Sequence, residues 1–217
     1  MELTPEEVRV LGCLAEKELT TPQQYPLTLN ALVAGCNQSS NRDPVVSYDE
    51  RTVEQAVTRA KERGLARFIH PSHGRSVLRY RHELVEQLGI DRRQLALLTV
   101  LMLRGPQTPG ELRARTERTA ELDGIGEVEA ELAALARRED PLVSKLGRAP
   151  GQKEERFVHC LSSVPAAVPV APAPSVVRPS PASAPASVEV AEELARLRRD
   201  LDALRQELDE LRGQLGG

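Results

Sequence analysis

Apolar residues recur every three or four positions along the chain as far as Leu161, the spacing of amphipathic helices that bury one face. In the first such segment the apolar positions run from Val8 to Ala15, with charged residues between them. Thr4 and Pro5 stand just before this segment, and Glu7 follows three residues after the threonine. That order is typical of a capping box, so a helix is predicted to begin here.

One order of elements is predicted twice: a capped helix, a Thr-Pro step that opens a second helix, a third helix and a β-hairpin. The first copy runs from Leu3 to about Arg81, and the second runs from Asp91 to about Leu161. This is the order of elements in a winged helix. The sequence therefore predicts an α+β, mainly α fold with two tandem winged-helix domains, at residues 1–88 and 89–163.

Residues suited to helix starts support these boundaries, and Asp91, with Gln94 three residues on, is predicted to cap the first helix of the second copy. Ser47 and Glu50 form a capping box before the third helix of the first copy. Thr108 and Glu111 do the same for the second helix of the second copy, and Thr21-Pro22 is the corresponding step in the first. The repeat is therefore predicted to extend to the residues that cap the helices.

The pattern changes after the second copy. Residues 164–187 are rich in Pro, Ala, Val and Ser, the composition of an extended linker. In residues 188–217, leucines alternate by four and three beside acidic g and arginine e positions, which predicts a parallel coiled coil between two chains. The alternatives are a three-stranded coiled coil and a single helix that folds onto the body of its own chain. The predicted oligomerisation residues are Leu194, Leu197, Leu201, Leu204, Leu208 and Leu211.

The charge of the chain is unevenly distributed. Its formal net charge is −3, whereas DNA-binding domains are usually basic. Between Arg42 and Arg118, however, 15 Lys and Arg residues stand against 10 Asp and Glu residues. Any nucleic-acid surface is therefore predicted to lie on the later elements of the first copy and the junction.

The third helix and hairpin of the first copy carry side chains suited to DNA. Polar groups on the helix suit base edges and phosphates, although any solvated helix has a similar face. No acidic residue lies between Arg63 and Arg81. The polar loop from Asn37 to Pro44 either bonds to itself or presents Asn37, Gln38, Asn41 and Arg42 to a phosphate or a partner backbone. The predicted DNA contacts are Arg42, Arg51, Thr52, Gln55, Arg59, Arg67, His73, Arg75 and Arg79.

The third helix of the second copy is acidic instead. Glu127, Glu129 and Glu131 stand where the first copy offers Arg and Thr. Carboxylates that face phosphates would repel them. These three residues are therefore predicted to contact a protein or to pack between the two domains.

No catalytic, metal or cofactor site is predicted. The four histidines lack Cys or carboxylate partners at ligand spacing, and the chain has no glycine-rich phosphate loop or nucleophile-elbow serine. Cys13, Cys36 and Cys160 are far apart, as expected for buried thiols of a reduced protein. No segment resembles a signal peptide or spans a membrane. A cytoplasmic protein that is not an enzyme is predicted.

Several long motifs occur in order along the chain: Glu16-Lys17, Tyr25-Pro26-Leu27-Thr28-Leu29-Asn30, Cys36-Asn37-Gln38, Ser40-Asn41-Arg42-Asp43-Pro44, Arg104-Gly105-Pro106-Gln107-Thr108-Pro109-Gly110-Glu111-Leu112-Arg113 and Pro150-Gly151-Gln152. Together they resemble the YceH-like family of bacterial proteins of unassigned function. The resemblance covers residues 1 to about 163. It implies a bacterial cytosolic protein with tandem winged helices, and it transfers no catalytic residues.

Two functions follow as hypotheses. The first is a DNA-binding regulator or nucleoid-associated protein that contacts DNA through its first winged helix. The alternative is a non-enzymatic protein-interaction adaptor, similar in architecture to the tandem winged-helix accessory subunits of chromosome condensation complexes. A continuous basic stripe across the third helix and both hairpins would favour DNA, and scattered charge would favour the adaptor.

Overall fold

Helices dominate the fold, and the strands are short. The computed structural model describes residues 2–70, 77–147 and 154–162 of the 217-residue chain. The described helices are α1 (Pro5–Thr20), α2 (Leu29–Cys36), α3 (Glu50–Glu62), α4 (Leu84–Leu88), α5 (Arg92–Arg104), α6 (Pro109–Thr116) and α7 (Ile125–Ala136). The described strands are β1 (Leu27–Thr28), β2 (Ala66–Ile69), β3 (Arg79–His82), β4 (Val143–Leu146) and β5 (Arg156–His159), and a 3-10 turn spans Pro22–Gln24. The fold is therefore α+β and mainly α.

The same order of elements occurs in both halves. In the first half, α1, α2 and α3 precede the β2–β3 hairpin, and β1 adds to the outer edge of β3. In the second half, α5, α6 and α7 precede the β4–β5 hairpin. A single bridge between Gln107 and Phe157 takes the place of β1 there. The predicted duplication of the element order is therefore visible in the structure.

Three predicted helix starts are confirmed. Thr4 and Glu7 exchange the two bonds of a capping box, and so do Thr108 and Glu111. Asp91 accepts a hydrogen bond from the Gln94 backbone at 2.9 Å and caps α5. Each cap satisfies a backbone N–H that has no partner within its helix.

Two other predicted starts are wrong. Helix α3 is capped by Asp49, which accepts from the Thr52 backbone at 2.8 Å, and not by Ser47. Thr21-Pro22 opens the 3-10 turn rather than α2. The cap of α2 is Thr28, seven residues later, which accepts from the Ala31 backbone at 3.3 Å. Thr28 is therefore the counterpart of Thr108.

The two halves share one hydrophobic core. Helix α1 packs mainly against α5, and buried residues from both halves form one continuous cluster. Gly12 permits this close approach, because a Cβ there would lie 2.9 Å from Leu103 Cδ2. The backbone of Asp43 donates to Leu103 at 2.8 Å, and that of Leu3 donates to Leu161 at 2.7 Å. Residues Met1–Ala166 accordingly form one compact unit.

Part of the predicted organisation lies outside the described residues. This applies to His73, Arg75, the linker 164–187 and the heptad leucines of 188–217. Among the helices that are described, none combines the length and apolar character needed to cross a membrane.

Candidate nucleic-acid interface

Helix α3 exposes one face along its length. The four apolar residues from Val53 to Ala60 are fully buried, because they face the core of the first half. On the other side Arg51 and Gln55 are exposed, and neither forms a hydrogen bond or an ion pair with the described residues. Thr52 and Arg59 lie half-buried along the flanks. The outer face therefore has free polar groups.

Buried Glu7 orients two arginines near this face. Its Oε1 lies 3.3 Å from Arg63 Nε and 3.8 Å from Arg59 Nε, while its Oε2 accepts from the Thr4 backbone at 2.7 Å. The Glu7 side chain is fully buried, whereas each arginine side chain remains 39% exposed. The carboxylate therefore holds the stems of both arginines and offsets one of their two charges.

The hairpin of the first half presents arginines on its solvent face. Arg67 pairs with Arg81 across the strands, and Ile69 pairs with Arg79, so these four residues share one face. Phe68 lies on the opposite face, where its ring packs edge-on against the ring of Tyr80. The solvent face is therefore strongly basic.

One carboxylate offsets part of this hairpin charge. Glu83 Oε1 lies 3.0 Å from Arg81 Nε and 3.3 Å from Arg67 Nε, and the Glu83 side chain is largely buried. The Arg67 side chain nevertheless remains 65% exposed. Arg67 is thus available to a ligand, although the Glu83 carboxylate offsets part of its positive charge.

Arg79 has a structural partner. It donates to the Pro26 carbonyl at 2.8 Å and so ties the hairpin to the segment before α2. Arg156 occupies the same place in the second hairpin and donates to the Pro106 carbonyl at 2.9 Å. Because both halves repeat the bond, it explains Arg79 without a ligand.

The two halves can be aligned through their buried residues and hairpin registers. Ala66 pairs with His82 as Val143 pairs with His159, which aligns the hairpins. Buried Val53, Val57 and Ala60 of α3 fall at the same intervals as buried Val128, Leu132 and Leu135 of α7, which aligns the helices. At the aligned positions, Arg51, Gln55, Arg59, Arg67 and Arg81 are matched by Gly126, Ala130, Ala134, Ser144 and Val158. These arginines therefore belong to the first half alone, and exposed Glu54 and Glu62 of α3 lie beside them.

Arg42 is not part of this face. Its guanidinium is fully buried and contacts Glu16 through two hydrogen bonds of 2.9 and 2.6 Å. It also donates to the Gly35 and Asn41 carbonyls and to Gln38 Oε1. The predicted DNA contact at Arg42 is wrong, because these partners occupy the side chain inside the body.

The rest of the loop between α2 and α3 supports the self-bonded interpretation. Asn37 exchanges two hydrogen bonds of 2.8 Å with the backbone of Tyr48. Asn41 has a left-handed backbone, with φ of 59°, and accepts a hydrogen bond from Arg104 of α5. The loop therefore fastens the first half to the second instead of presenting donors to a phosphate.

The acidic residues of α7 do not share one outward face. Glu131 Oε2 accepts from Gln94 Nε2 at 2.9 Å, and Glu127 accepts from the Asp123 backbone at 3.1 Å, so both are used within the second half. Glu129 is exposed and lines a groove beside the β4–β5 hairpin. The predicted protein-contact surface of three glutamates is thus reduced to Glu129.

Sequence reasoning missed the two buried carboxylates that set the charge of the interface. Glu7 was assigned to the helix cap alone, and Glu83 lies two residues beyond the acid-free stretch that ends at Arg81. The sequence offers one signal that Glu7 is buried, because Glu7 stands at the third position of α1 next to the apolar Val8. Nothing local distinguishes Glu83 from an exposed glutamate.

The described residues offer no group of three His, Cys, Asp or Glu side chains that could hold a metal ion. Cys13 and Cys36 are buried as free thiols, and Cys160 is half-buried. Nδ1 of buried His159 has no hydrogen-bond partner among the described residues.

Comparison with known proteins places the chain in a family. A family model described as "Protein of unknown function, DUF480" matches residues 3–152. A UPF0502 protein of Koribacter versatilis is 51% identical over 162 residues, which cover 75% of each chain. A UPF0502 protein of Citrifermentans bemidjiense is 52% identical over 159 residues and 73% of each chain. The relatives bear the UPF0502 name rather than the YceH name, and the chain belongs to this DUF480 family of bacterial proteins of unknown function.

Proposed function

We propose that each half of the body is a winged helix and that the first half binds duplex DNA. In this proposal α3 enters the major groove and the β2–β3 hairpin follows the phosphate backbone. The protein would act in the bacterial cytoplasm as a DNA-binding regulator or nucleoid-associated factor. It would have no enzymatic activity.

The difference between the two halves carries the proposal. Arg51, Gln55 and Arg59 of α3 stand where the aligned positions of α7 hold Gly126, Ala130 and Ala134. The hairpin shows the same contrast at Arg67 and Arg81. Basic and amide side chains on the outer face of a helix, next to a basic hairpin, suit phosphates and base edges.

The paired charges limit the strength of this binding. Glu7 and Glu83 each offset one arginine charge, and the described part of the chain shows no basic stripe that crosses both hairpins. We therefore expect about three phosphate contacts, and a slope of log affinity against log salt of about −3. Binding through so few contacts would be weak for a single chain.

The test is a fluorescence-anisotropy titration of a labelled DNA duplex at two salt concentrations. We expect the double variant Arg51→Ala/Arg67→Ala to bind about tenfold more weakly than wild type, since each lost contact costs about 1 kcal/mol or less. The control is Arg113→Ala/Arg118→Ala, which removes the same charge from exposed positions of the second half. Equal losses in both variants, or no salt-sensitive binding up to about 100 μM, would contradict the proposal.

The C-terminal heptads would add to this function. If residues 188–217 join two chains in parallel, two weak DNA contacts act together and the combined affinity rises. This part of the proposal depends on the sequence pattern alone.

A further inference from the structure

The second half has an open groove between α7 and the β4–β5 hairpin. One wall is a stripe of α7 side chains spaced by four residues, Ile125, Glu129 and Ala133. Lys145 and Phe157 of the hairpin form the opposite wall. The groove encloses about 650 Å³, which is within the size range of ligand and peptide sites.

The corresponding corner of the first half contains a long basic side chain. There Lys61 at the end of α3 lies over the ring of Phe68 of β2, with Nζ 4.5 Å from the ring centroid. The aligned residue in the second half is Ala136, which is too short to reach the hairpin. At this position the second half therefore has a methyl group, and Lys145 of the hairpin lies over the Phe157 ring instead, with Nζ 5.9 Å from its centroid.

The surface of the groove is largely apolar. Ala133, Ala136 and the ring of Phe157 contribute to its lining, and Ile125 at one end is 48% exposed. Contact with a partner would remove the apolar surface of this isoleucine from water, which lowers the free energy. The small side chains of Ala133 and Ala136 leave room in the groove for a larger side chain of a partner.

The charges on the rim indicate the kind of partner. Lys145 is already paired with Glu155. Among the described lining residues, Glu129 and Glu154 have no hydrogen-bond or ion-pair partner, and Arg137 is the unpaired cation at the far end of α7. Unpaired carboxylates beside an apolar floor favour a basic residue next to an apolar anchor.

We infer that this groove binds an amphipathic helix of a partner protein, with a bulky aliphatic anchor over Ala133 and a Lys or Arg beside Glu129. Such helices dock through apolar residues at every third or fourth position. The inference is independent of DNA binding, and it gives the adaptor hypothesis a defined surface on the opposite half.

The probe is a displayed library of random 16-residue peptides, selected on the full-length protein. Ala133→Trp fills the groove, and Ala130→Trp is the matched control, because Ala130 is exposed on the same helix outside the groove. We expect enriched peptides to share apolar residues at helical spacing beside a Lys or Arg. Their affinity should fall at least tenfold in Ala133→Trp and stay unchanged in Ala130→Trp.

A charge reversal tests the electrostatic part of the inference. Glu129→Arg should weaken the basic peptides at least tenfold and favour versions in which Glu replaces the Lys or Arg. If Ala133→Trp is poorly folded by circular dichroism, Ile125→Asp at the exposed end replaces it.

Three results would overturn the inference. The first is an absence of enriched peptides, or peptides that bind both tryptophan variants equally. The second is a smaller mass by light scattering in Ala133→Trp alone, which would mean that a second copy of the chain fills the groove. The third is a loss of duplex binding in Ala133→Trp alone, which would assign the groove to DNA.

Discussion

At the residue scale, two buried arginines hold the segment between α2 and α3 in place. Arg9 donates to the carbonyls of Cys36 and Pro44 at 3.3 and 2.6 Å, and Arg42 contacts Glu16 and the Gly35 carbonyl. Buried guanidinium groups of this kind need a partner for most of their donors. Their role could not be predicted from the sequence, because Glu16 lies 26 residues from Arg42 and no local pattern joins them.

His159 makes the stability of the fold depend on pH. Burial lowers the pKa of this imidazole from 6.5 to about 4, because the protonated form would lose its hydration. The unfolded chain therefore takes up the proton first as the pH falls. Above pH 6.5 His159 is neutral in both states and does not change the free energy of unfolding. Between pH 7 and pH 5 its protonation in the unfolded chain lowers the free energy of unfolding by about 2 kcal/mol, and the loss continues down to about pH 4.

The measurement is urea denaturation of wild type and His159→Leu at pH 7 and pH 5. We expect the leucine variant to lose about 2 kcal/mol less than wild type over this interval, because it has no proton to bind. His70→Leu is the control, since His70 is exposed. Parallel losses in wild type and His159→Leu would exclude His159 as the source.

At the element scale, local polar patterns predicted the helices well and their first residues less well. Thr4 and Thr108 were correct because each is followed by Pro and, three residues on, by Glu. Ser47 failed because Asp49 is an equally good cap two residues later. Thr21-Pro22 failed because the same signal also starts a 3-10 turn.

The crossing of α1 and α2 depends on Gly35. A Cβ at this position would lie 2.4 Å from Cys13 Sγ, far inside van der Waals contact. Gly35→Ala should lower the free energy of unfolding by about 1–2 kcal/mol, because overpacking exceeds the gain in helix propensity. Cys13→Ala removes the sulfur, so the double variant should recover at least about 1 kcal/mol of the Gly35→Ala loss.

Gly126 of α7 supplies the matched control for this crossing. An added Cβ there meets no atom within 4 Å. Gly126→Ala should therefore raise the free energy of unfolding by up to about 1 kcal/mol. Thermal or urea unfolding of the four variants measures these effects, and additive behaviour of Gly35→Ala and Cys13→Ala would show that the two residues are not in conflict.

At the scale of the whole molecule, one body presents two different surfaces. The outer side of α3 with its arginines belongs to the first half, and the groove beside α7 belongs to the second. The repeat could be predicted from the sequence because it depends on local caps and periodicity. The groove could not, because its lining differs from the first half at positions that only the folded registers align, such as Lys61 and Ala136.

The heptads of residues 188–217 make the assembly of the protein testable. We expect a chain that ends at residue 187 to be monomeric by light scattering, while the full chain is a dimer or trimer. A second variant lacks residues 164–187 and keeps the heptads, and it should remain assembled. An unchanged mass after removal of the heptads would refute assembly through the tail.

The hydrogen bond between Leu3 and Leu161 brings the start and the end of the body together. Because the two ends are adjacent, a chain could begin with either half and still connect the same helices and hairpins. A circularly permuted chain that starts with the second half would specify the same set of contacts. The packing between α1 and α5 therefore does not require the order in which the two halves follow one another along the chain.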